Sequence, residues 1–156
     1  HLLGYGGHFA AAGMTLLPEN IEAFSLKFEA VVNERIAPHL LIPVINIDTE
    51  IQLADIKPSF YNIICQMEPF GPGNMAPVFI THNVVDTGFS KIVKENHLRV
   101  VVKQDDIVLT GIGFNMAGKF DIVASRQPFE IVFKIDENEW NGQKSLQLRV
   151  EDIRRE

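Results

Sequence analysis

Ten residues near the start, Gly4-Tyr5-Gly6-Gly7-His8-Phe9-Ala10-Ala11-Ala12-Gly13, hold four glycines and a histidine. Glycine costs backbone entropy in a regular element, so such a cluster marks a place where main chain must come close to something. Bare N–H groups with no Cβ in the way suit an anion such as phosphate. His8 on the rim adds a hydrogen-bond donor and, when protonated, a positive charge. The alanines that follow allow a helix or strand to pack closely behind this corner. On its own, His8 has a second reading as a satisfied, partly buried histidine.

A second group suits a polyanion. Lys91, Lys94, Arg99 and Lys103 face Glu95 alone within residues 88–103, a local excess of three positive charges. Phe89, His97 and Phe114 lie among or beside them and offer rings on which bases can stack. Each also has an ordinary reading: the lysines as a solvated face, Phe114 as core. The chain as a whole carries a net charge of −6, and residues 1–58 set Lys27, Arg35 and Lys57 against seven acids. That balance argues against a strong non-specific nucleic-acid binder but leaves room for a local strip with little long-range attraction. The histidines His1, His8, His39, His82 and His97 are scattered, and no Asp/His cluster has metal-ligand spacing. Cys65 stands alone, which rules out an internal disulfide and fits a reducing cytoplasm.

The elements that must position these groups are partly legible. Of 156 residues, 46% are hydrophobic, enough for a core. No apolar run reaches the length of a membrane span, and the start lacks a signal peptide's basic and apolar segments. A chain that begins at His1 is expected to be a piece of a longer product. Ile21, Phe24, Phe28, Val31, Val32 and Ile36 recur at helical spacing between Pro18 and Pro38, predicting an amphipathic helix packed on a core. Residues 41–57 read as one or two short strands, and Pro58 to Met67 as a short helix. Glu68 to Pro77, with three prolines and two glycines, reads as an ordered loop: either a rigid turn into a strand or a backbone wall lining a groove.

From Val78 onward the pattern is β. Strands are expected at Val78–Val85, Leu98–Val102 and Ile107–Phe114, then at the alternating runs Phe129, Ile131, Phe133, Ile135 and Leu146, Leu148, Val150. Asn141-Gly142 between the last two is a strong hairpin signal. Five strands with an irregular segment after the third predict a Greek-key barrel of the OB kind. Trp140 beside the hairpin turn is read as a plug at the barrel end or as a stacking residue.

Two resemblances follow from the motifs. Gly6-Gly7-His8 with Ala11-Ala12-Gly13 resembles the nucleotide-contacting motif of the DHHA1 domain, partner of the metal-bearing DHH domain in a phosphoesterase superfamily. Adding Pro69-Phe70-Gly71, Gly73-Asn74, Pro77-Val78-Phe79, His97-Leu98, Gly113-Phe114, Trp140-Asn141-Gly142, Gln147-Leu148 and Val150-Glu151-Asp152-Ile153-Arg154, nearly the whole chain resembles the C-terminal part of the RecJ family, bacterial exonucleases specific for single-stranded DNA.

The resemblance implies an α+β chain: the end of a DHHA1 α/β domain over residues 1–40, a junction over 41–77, and an OB-like five-stranded barrel over 78–156. It implies a cytoplasmic parent enzyme, active in DNA repair and recombination, that degrades single-stranded DNA from its 5′ end with Mn²⁺ or Mg²⁺ held by an upstream DHH domain. No Asp-His-His occurs here, so this segment is expected to bind no metal, to lack hydrolytic activity alone and to be monomeric. Gly6, Gly7 and His8 would contact the nucleotide phosphate as an accessory to catalysis. Lys91, Lys94, Arg99 and Lys103, with Phe89, His97 or Phe114, would hold the incoming strand. A competing reading makes the barrel a docking module for another repair protein, with little DNA contact. A third, a relative acting on short oligonucleotides or cyclic dinucleotides, leaves the β-rich tail without a purpose.

Overall fold

The computed structural model describes residues 1–155, apart from the side chain of Trp140, so the two roles weighed for that ring lie outside the described residues. The chain divides into two compact units, His1–Val44 and Ile45–Glu156.

In the first unit, β1 (Leu2–His8) and β2 (Ala11–Leu16) form an antiparallel hairpin, followed by α1 (Ile21–Arg35). The glycine corner is therefore a strand ladder and not the open loop its composition suggests: Gly6 pairs with Gly13, Gly7 with Ala12 and His8 with Ala11. The physical reason is visible at Gly7. A Cβ there would stand 2.5 Å from the Ala11 carbonyl oxygen and 2.6 Å from Ala12 Cα, so the close approach that glycine permits is to the neighbouring strand. Within the described residues α1 does not sit in a core: none of its residues is buried, and Phe28 is 56% exposed.

The second unit is built on a seven-stranded sheet of order β3-β4-β8-β9-β7-β6-β5, with a further pairing of β4 to β6. Its strands are β3 (Thr49–Glu50), β4 (Phe79–Asp86), β5 (Lys91–Val93), β6 (His97–Gln104), β7 (Ile107–Gly113), β8 (Phe129–Trp140) and β9 (Gln143–Arg155). The pairings run from β4 through β8, β9, β7 and β6, and return to β4 at Val85 with Lys103 and Asp86 with Val102. Within this circuit all are antiparallel except β7 with β9, which is parallel. Alternation does the work of filling the interior: Leu98, Val100 and Val102 from β6 meet Phe129, Ile131 and Phe133 from β8 and Leu148 and Val150 from β9 in one buried cluster.

Within residues 41–57 the one strand is β3, with 3₁₀ turns at Pro38–Leu41 leading into this stretch and at Leu53–Asp55 within it. Two elements escape the sequence pattern. β5 is three residues long and turns through Lys94 and Glu95, both at positive φ without a glycine to announce it. The irregular segment after β7 contains α3 (Phe120–Ala124), too short for a helical period to register. The predicted helix after Pro58 is α2 (Pro58–Cys65), with proline in its first turn. Asn141 and Gly142, both at positive φ, make the tight β8–β9 turn.

Among the described residues, buried side-chain polar atoms are matched. Gln104 accepts from the Leu53 N–H at 2.8 Å and donates to the His82 carbonyl at 2.9 Å, which ties the 53–55 turn and β4 to the end of β6. The Thr81 hydroxyl donates to the Ile51 carbonyl at 2.7 Å. In the loop after α2, the Asn74 amide donates to the Met67 and Pro69 carbonyls at 2.8 and 3.0 Å, and Gly71 and Asn74 exchange backbone bonds. Gly73, at φ +86°, makes that turn possible.

On β9, Asp152 Oδ1 takes a 2.8 Å contact from Lys119 Nζ, while Oδ2 takes a 3.1 Å bond from Arg154 Nε; Lys119 also donates to the Ile153 carbonyl. Burial pushes the Asp152 carboxyl up, but these two cations and the Ile153 N–H more than offset it, so it sits below the usual range. The resulting stabilisation is present above the unfolded value of about 3.9 and is lost as pH falls through the lower folded value. Asp152→Asn is therefore expected to lower the melting temperature at neutral pH, with the gap to the wild type closing in strong acid. A gap that stays constant with pH would remove the ion pair from the account.

Candidate nucleic-acid interface

Directly opposed residues on neighbouring strands share a face of the sheet, so register alone assembles a row on the outer surface of the second unit. Lys91 on β5 opposes Arg99 on β6. Arg99 opposes Ile112 on β7, Ile112 opposes Arg149 on β9, and Arg149 opposes Lys134 on β8. Four cations thus lie across five strands on one line, interrupted once by an apolar side chain. The inner side of the same strands carries the neighbouring residues Leu98, Val100, Leu148 and Ile135, all buried. Burying that set is what forces Arg99, Arg149 and Lys134 outward.

An aromatic cluster stands beside the row. Leu98 pairs with Gly113 at the end of β7, so the next residue outward on each strand brings His97 next to Phe114. Their rings meet edge to face, with centroids 5.3 Å apart. The guanidinium carbon of Arg149 lies 6.0 Å from the Phe114 centroid, within cation–π range. Phe114 is 54% exposed, so its core reading fails and its remaining surface faces solvent. His97 Nδ1 accepts from the Asn115 N–H at 3.1 Å, which holds the imidazole in place.

The other candidates are placed less tightly. Lys94 sits at the β5–β6 turn at φ 48°. Lys103 is exposed, but the segment 87–90 lies between it and Arg99: the Val101 N–H donates to Ser90 Oγ, and Thr87 donates to the Val101 carbonyl through both its N–H and its hydroxyl. Ser90 is in turn held by Asp86. Phe89, in that segment, is 74% exposed. Gly6, Gly7 and His8 line a groove of about 480 Å³ within the first unit, together with Tyr5, Met14, Phe24 and Phe28. Arg149 and Lys134 are not evident from the sequence. The alternation of Leu146, Leu148 and Val150 already points Arg149 outward, but only the parallel β7–β9 pairing brings it to Phe114.

Against this geometry, a family model described as the RecJ OB domain matches residues 47–152. The chain belongs to the RecJ OB domain family. Among its relatives, the single-stranded-DNA-specific exonuclease RecJ of Bacillus subtilis (strain 168) is 27% identical over 149 residues, a span covering 95% of this chain and 19% of the relative. The protein of the same description from Escherichia coli (strain K12) is 27% identical over 154 residues, covering 97% of this chain and 26% of the relative. The chain thus spans about a fifth to a quarter of the length of these relatives. The crystal structure of RecJ in complex with Mn²⁺ from Thermus thermophilus superposes with a TM-score of 0.74 at 22% identity, over 99% of this chain and 22% of that one. That likeness establishes a shared fold.

Among the described residues, no three or more His, Cys, Asp and Glu side chains are placed to hold a metal ion. Among the same residues, no helix is long and apolar enough to cross a membrane.

Proposed function

We propose that this chain is the strand-holding part of a metal-dependent exonuclease that degrades single-stranded DNA from the 5′ end, as in DNA repair and recombination. On this reading residues 1–40 are the end of a DHHA1 domain and the five-strand circuit is an OB-type barrel. Cleavage belongs to a DHH domain outside this chain, so the segment alone is inactive.

The observation that carries the reading is the outer row Lys91–Arg99–Arg149–Lys134 with Phe114 and His97 beside it. Grooves for single strands combine basic residues that follow the backbone with rings that stack bases, and barrels of this kind use the face of their second and third strands. Those strands here are β6 and β7. The strand would run across the sheet, its phosphates along the cations and a base on Phe114. In the first unit, His8 and the N–H groups near Gly6 and Gly7 would share the charge of a phosphate, His8 by donating to a non-bridging oxygen.

The net charge of −6 favours the second reading, a docking module for another repair protein. A salt titration of binding to a labelled single-stranded oligonucleotide separates the two. The expected slope of log K against log salt is about −0.7 per phosphate contact, hence about −3 for four engaged cations. Undetectable binding at low ionic strength would overturn the strand-holding role and favour docking.

A further inference from the structure

The loop from Glu68 to Pro77 is built with more care than a connection needs, and one side of it faces a cavity. That cavity, of about 160 Å³, lies entirely within the second unit, between α2, this loop and the edge of β8. Its apolar lining comes from Ile64 and Phe79, both buried, with Tyr61 and Phe70 half-buried beside them. Four charged side chains line it too: Glu68, Asp136, Lys134 and Arg149. Lys134 pairs with Glu151 at 3.3 Å through one contact, which leaves donors free on its ammonium.

We propose that this cavity is a subsite for a single pyrimidine base of the bound strand, turned out of its stack beside Phe114. The inference rests on the strand-holding reading above and gives it a base preference. Size supports it first: a cavity of about 150 Å³ admits a benzene-sized ring, so the space here suits one six-membered ring better than a fused purine. Chemistry supports it next. Pyrimidine edges present both carbonyl acceptors and N–H donors, which match Lys134 and Arg149 on one hand and Asp136 and Glu68 on the other. A phosphate in the same place would meet two carboxylates, and a wholly apolar guest would make no use of the charged groups on the wall. Position supports it last. Arg149 lines the cavity and also stands over Phe114, so the stacked base and the inserted one would be neighbours along the strand. Tyr61 contributes a neutral hydroxyl: burial, together with Cys65 and the charges of Asp136 and Glu137, pushes it up to about 12.

The test uses the whole chain and two oligonucleotides of about 12 nucleotides, within the reach of one such barrel: mixed dC/dT and all dA. Affinity for each is measured for the wild type and for Ala76→Leu, which fills the cavity from a half-buried position on its wall. The wild type is expected to prefer the pyrimidine strand by about tenfold, the scale of one base contact, and Ala76→Leu to lose most of that preference. An equal preference in both proteins overturns the subsite. A nuclear magnetic resonance titration of the wild type needs no variant. With the dC/dT strand, amides of Tyr61, Phe70 and Ala76 are expected to shift together with those of Arg99 and Phe114. Shifts at Arg99 and Phe114 alone overturn the subsite but leave the strand-holding reading standing, whereas no shift at any of them overturns both.

Discussion

Gly111→Ala should melt roughly 4–12 °C below the wild type, the product of a packing cost of roughly 1–3 kcal/mol and a melting-temperature shift of roughly 4 °C per kcal/mol for a domain this size. Gly111 lies in the middle of β7, facing inward, between Val100 on β6 and Leu148 on β9. A Cβ there would stand 2.7 Å from the Leu148 carbonyl oxygen, 2.8 Å from Leu148 Cβ and 3.0 Å from Val100 Cγ2. The first of these is backbone and belongs to the parallel pairing with β9, so relief requires β7 and β9 to separate. Gly118→Ala is the control, since a Cβ there would meet nothing within 4 Å. Thermal unfolding followed by circular dichroism reads both. Equal melting temperatures for the two variants would mean that the strands yield without cost and that the closeness at Gly111 is not structural.

The largest expected effect on binding is at the aromatic platform. Phe114→Ala should weaken single-stranded DNA binding by about 5- to 150-fold, the range set by the roughly 1–3 kcal/mol attributed to one base–aromatic stack. Phe114 is more than half exposed, so the melting temperature should hardly move, and Phe114→Trp should keep most of the affinity. Arg149 separates charge from shape. Arg149→Lys keeps the positive charge and therefore the salt slope, but loses the flat guanidinium over the ring; its affinity should fall between wild type and Arg149→Ala. Lys103→Ala serves as the outlying control, because the 87–90 segment stands between it and the row. Fluorescence anisotropy at fixed ionic strength measures all of them. If Lys103→Ala weakens binding as much as Phe114→Ala, the strand follows the other side of that segment and the platform assignment is wrong.

How far the residues announce this arrangement depends on the range over which each signal acts. Leu98, Val100 and Val102, and Phe129, Ile131, Phe133 and Ile135, recur at every second position, and that spacing indicates which side of each strand is inside even though Val101 and Val132 between them are also apolar. Asn141-Gly142 marks a turn because positive φ at two successive positions favours those residue types. The motifs around Pro69 and Trp140 carry the family. What stays hidden is non-local. That Arg149 approaches Phe114 depends on a parallel pairing between β7 and β9, and nothing in either segment encodes it. The glycine corner is ambiguous for a similar reason: Gly7 is small where Ala11 and Ala12 approach across the hairpin, and composition alone does not separate a neighbouring strand from a ligand. The apolar stripe of α1 is plain in the sequence, yet a stripe does not say which surface will cover it.

The parallel step between Ile112 and Arg149 also has a consequence in time. These two residues are separated along the chain by all of α3 and β8, and contacts so distant form late. A nascent chain that has left the ribosome only as far as β7 and the residue after it already carries Lys91, Arg99, His97 and Phe114, but not the guanidinium that roofs the ring. On the strand-holding reading proposed above, the grip on a strand would therefore be completed only with the β8–β9 hairpin, after most of the buried residues have been synthesised.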